Sequence, residues 1–484
     1  MVRTTSQRVS LHGGAAVRAA FAAALLAVAC ATASVHAQDA AVAATAGAIS
    51  ERTLPEGAID PALFGSFPTP PLDIRLAEGF ERFWPSRLRV RDAAGGREGR
   101  GLIIPIEGPL APPRPAFWSG RSPTQVPVGV KQAMSLIAAA GVQGSPEFSL
   151  EGENAFVVVM GPREEGGPRH EAPINFVYVS GTPGPDSDAG DPPEILIERT
   201  WFSLYPPSKP PSRGIVLFMP GLLATPEPVM AALTRDLRAD GWAVLRMIAQ
   251  PSRFTERVEF VVDPADIEGS AAQIAQTLGE RVAEVAYAAD AAVSHVQETV
   301  PALAEVPVVL LGFSGGAMTI PPVVSLTPER YAAAVMVGGG ADYWLINERS
   351  NYRGMIDALR LSWDGIEEPS EAQRAALDRA YLERAPLDAY HTAASLRDIP
   401  TLMIHAASDL AVPAPLGVLM WEKAGRPEMW VRRATHETLF IGLPLDHAAI
   451  VSWLDRAVPR NKAAIEPEPA RTGSGVGDEV GKEP

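Results

Sequence analysis

The sequence predicts an α/β protein built on a mostly parallel sheet with helices packed on its faces. Three observations point there. From about residue 191 onward, short apolar runs alternate with amphipathic helical stretches. The runs are apolar at every position rather than at every second one, as expected for strands covered on both sides. Between one such strand and the helix after it stands a serine with glycines two places before and after it.

Each element follows from its pattern. GIVLFM (214–219) reads as a buried strand. PVMAALTRDLRADG has apolar residues three and four apart and stops at Gly241, so it reads as a helix. WAVLRM is the next strand. Over 270–300, Ile274, Leu278, Val282, Val285, Ala289, Val293 and Val296 keep one face apolar, which predicts one long helix. VVLLGF, AAAVMVGGG, TLMIHA and MWVRRA supply later strands, and DHAAIVSWLDRAV closes the unit as a helix. Residues 341–398 interrupt the alternation as a helical insertion between the last strands. They include a helix with Ser370 and Gln373 as a capping box and Pro386 beyond its end. A cap over a sheet-edge pocket and a crossover that only covers the sheet share this periodicity, so both readings stand.

Upstream, residues 73–190 form an N-terminal region of short strands and loops to which no function is assigned. RGLIIPIEG, AFVVVMG and NFVYVSG are strand-like, and VKQAMSLIAAAG reads as a helix stopping at Gly141. Residues 38–72 read as an Ala/Pro/Gly-rich linker, 191–460 as the main domain and 461–484 as a disordered polar tail. Residues 1–37 have the pattern of a signal peptide: Arg3, Arg8 and Arg18, then an apolar run, then a small-residue cleavage site after Ala37. Export to the periplasm or the medium is therefore expected.

The 484 residues are 46% apolar and 20% charged, with a mean hydropathy of +0.05, which argues against wholesale disorder. A net charge of −15 without a basic stripe argues against a nucleic-acid partner. The single cysteine, Cys30, lies in the leader, and Leu26 stands one place too early for a lipoprotein triplet. Membrane contact is expected only if Cys30 is lipidated. Cleavage after Ala37 leaves a chain with no cysteine, hence no disulfide and no thiolate metal site. The sequence does not address oligomeric state.

The serine carries the chemistry. Gly312-Phe313-Ser314-Gly315-Gly316 fits G-x-S-x-G behind the strand Val308–Leu311. A strand that turns into a helix within one residue strains that residue and crowds the side chains two places away, and glycine relieves the crowding. The turn lifts the hydroxyl above the sheet at a helix N-terminus, which favours developing negative charge. Pro321 and Pro322 follow two turns later, so the helix is expected to kink or stop early.

A serine hydroxyl needs a base. Of eight histidines, His436 and His447 are the candidates: His436 stands where a loop leaves the C-terminal end of a predicted strand, and His447 begins the final helix. His436 directly follows MWVRRA and is favoured over His447; His405, inside a strand run, reads as a core residue. The base needs an acid to orient it. Asp409, just after TLMIHA, is favoured, with Asp342, one strand earlier, as its rival.

The order Ser314, Asp409, His436 and the GFSGG turn resemble the α/β-hydrolase family over about residues 191–460, with SDLAVP similar to its acid-bearing loop. The resemblance implies an eight-stranded, mostly parallel sheet. It also implies an oxyanion hole from the backbone N–H groups of Gly315 and Leu222, although Pro220-Gly221 stands where many members have His-Gly. No metal and no organic cofactor is implied. The expected function is hydrolysis of a small-molecule carboxylic ester through an acyl-enzyme. A peptidase or other acyl transferase on the same residues, or a binding protein retaining the fold, are the alternatives.

Overall fold

A computed structural model of the chain describes residues 173–459 apart from 184–194, 210–211, 223–226, 252–253, 255 and 354–358, together with 67–81 and shorter segments between residues 52 and 158. The strands used below are, in chain order, β1 (Arg52–Thr53), β2 (Leu102–Ile106), β3 (Ile174–Pro183), β4 (Ile195–Tyr205), β5 (Gly214–Met219), β6 (Trp242–Met247), β7 (Val258–Val262), β8 (Val308–Phe313), β9 (Tyr331–Val337), β10 (Leu359–Trp363), β11 (Thr401–Ala406) and β12 (Glu428–Arg432). Ten of them form one sheet in the order β1-β12-β11-β9-β8-β5-β6-β4-β3-β2. The run from β12 to β6 is parallel throughout. Strand β4 runs antiparallel to β6 and to β3, and the edge strands β1 and β2 are antiparallel to their neighbours.

The sheet is therefore the predicted eight strands, β3 to β12 without β7 and β10, widened by one strand at each edge. Two expected boundaries change. Strand β3 pairs with β4 along its whole length and β2 pairs with β3, so the sheet reaches back across residue 191. Part of the expected linker is also structured: β1 pairs with Trp430 and Val431 of β12. Ile74 donates its backbone N–H to the Tyr390 hydroxyl at 3.0 Å, and Lys423 donates to the Leu72 carbonyl at 3.1 Å. Short strands at 89–92, 98–99, 148–149 and 155–158 form a separate small sheet. The leader, the helix expected at VKQAMSLIAAAG and the C-terminal tail lie outside the described residues.

The helices are α1 (Glu227–Ala239), α2 (Ile267–Thr299), α3 (Gly315–Leu326), α4 (Tyr343–Arg349), α5 (Glu371–Leu382), α6 (Ala389–Thr392), α7 (Ala414–Lys423), α8 (His436–Gly442) and α9 (His447–Ala457). Strand β5 shows why its run has no polar position. Ile215, Leu217 and Met219 enter the core beneath α2 and α3, while Val216 and Phe218 enter the opposite core against α1 and α9. Along α2 the predicted apolar face is buried, except that Leu278 is only partly covered. Asp266 caps its start, accepting from the Gly269 N–H at 2.9 Å. Among the described residues no helix is long and apolar enough to cross a membrane.

The expected early stop after Ser314 does not occur. Helix α3 runs through Pro321 and Pro322 to Leu326. Pro322 has no N–H for the Met318 carbonyl four residues back. The Tyr343 hydroxyl donates to that carbonyl instead, at 2.7 Å. The insertion that supplies Tyr343 holds α4, β10, α5 and α6. The capping box of Ser370 and Gln373 is present at α5, which packs on α2, and β10 pairs in parallel with β7. This part of the insertion therefore packs on α2 and extends a separate two-stranded sheet rather than lying on the main sheet.

Candidate active site

Ser314 sits at the tip of β8 with φ 51° and ψ −118°, a backbone region that L residues rarely adopt. A Cβ placed on Gly312 would stand 2.6 Å from the Gly316 carbonyl oxygen, and one on Gly316 would stand 2.1 Å from the Met219 carbonyl oxygen. Both approaches are too close for any side chain, which is why this turn requires glycine at both places. The turn is pinned by the Ser314 N–H donating to the Val337 carbonyl at 2.8 Å, across to β9.

Asp409 follows β11 in a tight loop. One carboxylate oxygen accepts the Ala411 and Val412 N–H groups at 2.9 and 2.8 Å. The other faces His436 Nδ1 at 2.6 Å. A carboxylate held this way requires the ring proton on Nδ1, leaving Nε2 as an acceptor. That nitrogen stands 2.9 Å from Ser314 Oγ, so the hydroxyl donates to it. Asp409 and His436 are both buried. His436 is the first residue of α8, whose start is capped by Thr435 in a capping box with Thr438. Phe440, one turn on, packs edge-on to the imidazole with centroids 4.9 Å apart.

The two rivals lie elsewhere. His447 Nδ1 bonds Asp236 at 2.9 Å, tying α9 to α1, and burial holds its pKa below the ordinary value. Asp342 caps α4 by accepting the Leu345 N–H at 3.0 Å. Burial, with Asp378 and Asp388 beside it, raises its pKa well above the carboxylate range. His405 is a core residue, as expected, and burial lowers its pKa to about 4 against the pull of nearby Asp409.

The loop after β5 runs against the serine. A Cβ on Gly221 would stand 3.1 Å from Ser314 Cβ, and one on Gly315 would stand 3.5 Å from the Leu222 nitrogen. Gly315 and Leu222 are thus neighbours beside the hydroxyl. Gln250, buried just after β6, donates to the Pro220 carbonyl at 2.5 Å and anchors that loop. Two residues at the site carried no signal in the sequence. Tyr352, from the insertion, stands edge-on to the His436 ring with centroids 5.9 Å apart. Its hydroxyl donates to Glu437 at 2.6 Å.

A central parallel block, an antiparallel second strand and a serine on a strained strand-to-helix turn define the α/β-hydrolase fold, and the chain has it. The sequence matches no family model and no curated protein. Among solved structures it is similar to the Pyrococcus furiosus esterase Pf2001, with 14% identity and a TM-score of 0.33 over 54% of this chain and 88% of that one. It is similar to Est1E from Butyrivibrio proteoclasticus, with 14% identity and a TM-score of 0.36 over 58% of this chain and 99% of that one. It is also similar to a 2,6-dihydroxy-pseudo-oxynicotine hydrolase, with 15% identity and a TM-score of 0.35 over 54% and 65% of the two chains. The fold assignment rests on the strand order and the serine turn.

Proposed function

We propose that the protein is an exported serine hydrolase that cleaves small-molecule carboxylic esters. The observation that carries this reading is the unbroken chain from Ser314 Oγ to His436 Nε2 at 2.9 Å and from His436 Nδ1 to Asp409 at 2.6 Å. Ser314 Oγ attacks the ester carbonyl while His436 Nε2 takes its proton. Asp409 holds the ring in the tautomer that can do this and stabilises the imidazolium that forms. The carbonyl oxygen becomes an oxyanion facing the N–H groups of Gly315 and Leu222; loss of one such donor typically costs on the order of 10²–10³ in turnover. The imidazolium returns its proton to the departing alkoxide, which leaves as an alcohol. Water, deprotonated by the same nitrogen, then attacks the acyl-enzyme, and the acid leaves with Ser314 restored.

The same two distances favour turnover over a binding protein that merely keeps the fold. An esterase is preferred to a peptidase or other acyl transferase as the simplest use of these groups. The test is covalent labelling by a fluorophosphonate probe. The wild-type chain is expected to label and to hydrolyse p-nitrophenyl acetate faster than alanine p-nitroanilide; S314A is expected to do neither. A wild-type protein that takes no label refutes the reading. Export, argued from the leader alone, is checked by cell fractionation and by the N-terminus of the secreted form, expected at Gln38.

A further inference from the structure

The residues after α4 form a clasp between the loop that carries the acid and the helix α8 that carries the base. The Asn351 N–H donates to the carbonyl of Leu410, next to Asp409, at 2.9 Å. One residue on, the Tyr352 hydroxyl donates to Glu437, next to His436, at 2.6 Å. The stretch is itself braced, since the Tyr352 N–H donates to Ser350 Oγ at 3.1 Å. Between its two anchors the tyrosine ring lies at 88° to the imidazole with centroids 5.9 Å apart. Such an edge-to-face pair restrains the ring it meets.

The imidazole therefore has more to hold it than Asp409. Phe440 packs on it from its own helix, and a Cβ on Gly338 would stand 3.3 Å from its Cε1. Tyr352 is the one of these neighbours that arrives from the insertion. Glu437 is well suited to anchor it. It is half-buried and also accepts the Thr435 hydroxyl at 2.8 Å. Although burial raises its pKa, the hydrogen bonds from Tyr352 and Thr435 hold the value below the ordinary range. It is an anion at neutral pH, so the tyrosine's bond to it is charge-assisted.

We propose that Tyr352, tethered by Glu437, is a positioning residue that fixes the His436 imidazole against Ser314, and that the insertion thereby serves the site as well as packing on α2. The proposal rests on the serine-hydrolase reading above. The hydrogen bond that Nε2 accepts from Ser314 Oγ constrains the ring in its plane, and an aromatic ring packed perpendicular to it constrains tilt; errors of about 1 Å at a reacting atom can cost on the order of 10²-fold.

The experiment uses the full-length chain, a fluorophosphonate probe and p-nitrophenyl acetate. Five variants are compared: Y352F, Y352A, E437A, E437Q and the Y352F/E437A double. Y352A is expected to lower the labelling rate and kcat by about 10- to 100-fold with KM changed less than about threefold. Y352F and E437A, which cut the tether and leave the ring or its partner, should each lose roughly 3- to 10-fold, and the Y352F/E437A double variant should lose little more than either alone. E437Q keeps an acceptor for the tyrosine hydroxyl and should recover most of the E437A loss. Thermal midpoints of Y352F and E437Q near that of the wild type separate positioning from unfolding. Wild-type labelling with undiminished kcat in Y352A overturns the clasp while leaving the hydrolase reading intact. Losses that appear only in KM, or additive losses in the double variant, overturn it too. A wild-type chain that does not label at all refutes the parent reading instead.

Discussion

Asp409 and Asp342 each follow a strand of the parallel block, on neighbouring strands β11 and β9, and both are buried. Their surroundings differ in what faces the carboxylate. Asp409 meets donors on both oxygens: two backbone N–H groups on one and the imidazole on the other. Asp342 meets the Leu345 N–H on one oxygen, while the carboxyls of Asp378 and Asp388 stand close by and, with burial, raise its pKa. Asp388 itself is well supplied, by the N–H groups of Asp342, Tyr343 and Tyr390 and by the Tyr381 hydroxyl. Standing after a strand thus offers an aspartate a place at the site. The groups around it determine whether it faces the base or caps a helix.

The sharpest way to break this comparison is to neutralise each aspartate. Asp409→Asn is expected to lower kcat for p-nitrophenyl acetate by about 10⁴-fold, the scale seen when the acid of a serine triad is made an amide. Asp342→Asn should stay within about tenfold of the wild type. A large kcat loss in the second variant with a small one in the first would reverse the assignment.

Stability against pH sharpens it further. Burial raises the Asp378 pKa from 3.8 to about 6, beside Asp342 and Asp388. A raised acid contributes stability that is present below its unfolded value and lost as pH rises through its folded value. His405, on the Asp409 side, is lowered from 6.5 to about 4 by burial. A depressed histidine contributes stability that is present above its unfolded value and lost as pH falls through its folded value. The two regions therefore pull in opposite directions across roughly pH 4 to 6.5. Across that window the two slopes offset each other in the wild type, so thermal midpoints should fall more steeply towards acid in D378N and more steeply towards alkali in H405Q. Unchanged pH profiles in both would refute the contrast. The smallest effect is expected from Y381F, which removes a buried donor to Asp388 at 2.6 Å. It should cost about 1–3 kcal/mol in denaturant unfolding and leave kcat within twofold.

Much of this was legible in the chain. The fully apolar runs of β5, β8 and β11 announced strands covered on both sides, and the glycines about Ser314 announced a turn that no side chain could join. Asp409 and His436 could be chosen because each stands immediately past such a run. What escaped notice lay in contacts between distant residues. Strand β3 is separated from β4 by a Pro- and Gly-rich stretch that reads as a boundary, yet the two pair along their length. Tyr352 reaches Glu437 across 85 residues, and no spacing rule links a tyrosine in an insertion to a glutamate beside the base. That α3 continues past its prolines also rests on a distant contact: the donor that replaces the N–H missing at Pro322 comes from 25 residues away.

That replacement donor has a consequence for how the molecule is assembled. The last turns behind the nucleophile are completed by a phenol from a segment synthesised later, so this helix is not self-sufficient. Shortening or exchanging residues 341–398 would leave the Met318 carbonyl without its Tyr343 partner, and an engineer who removes the insertion should also replace Pro322.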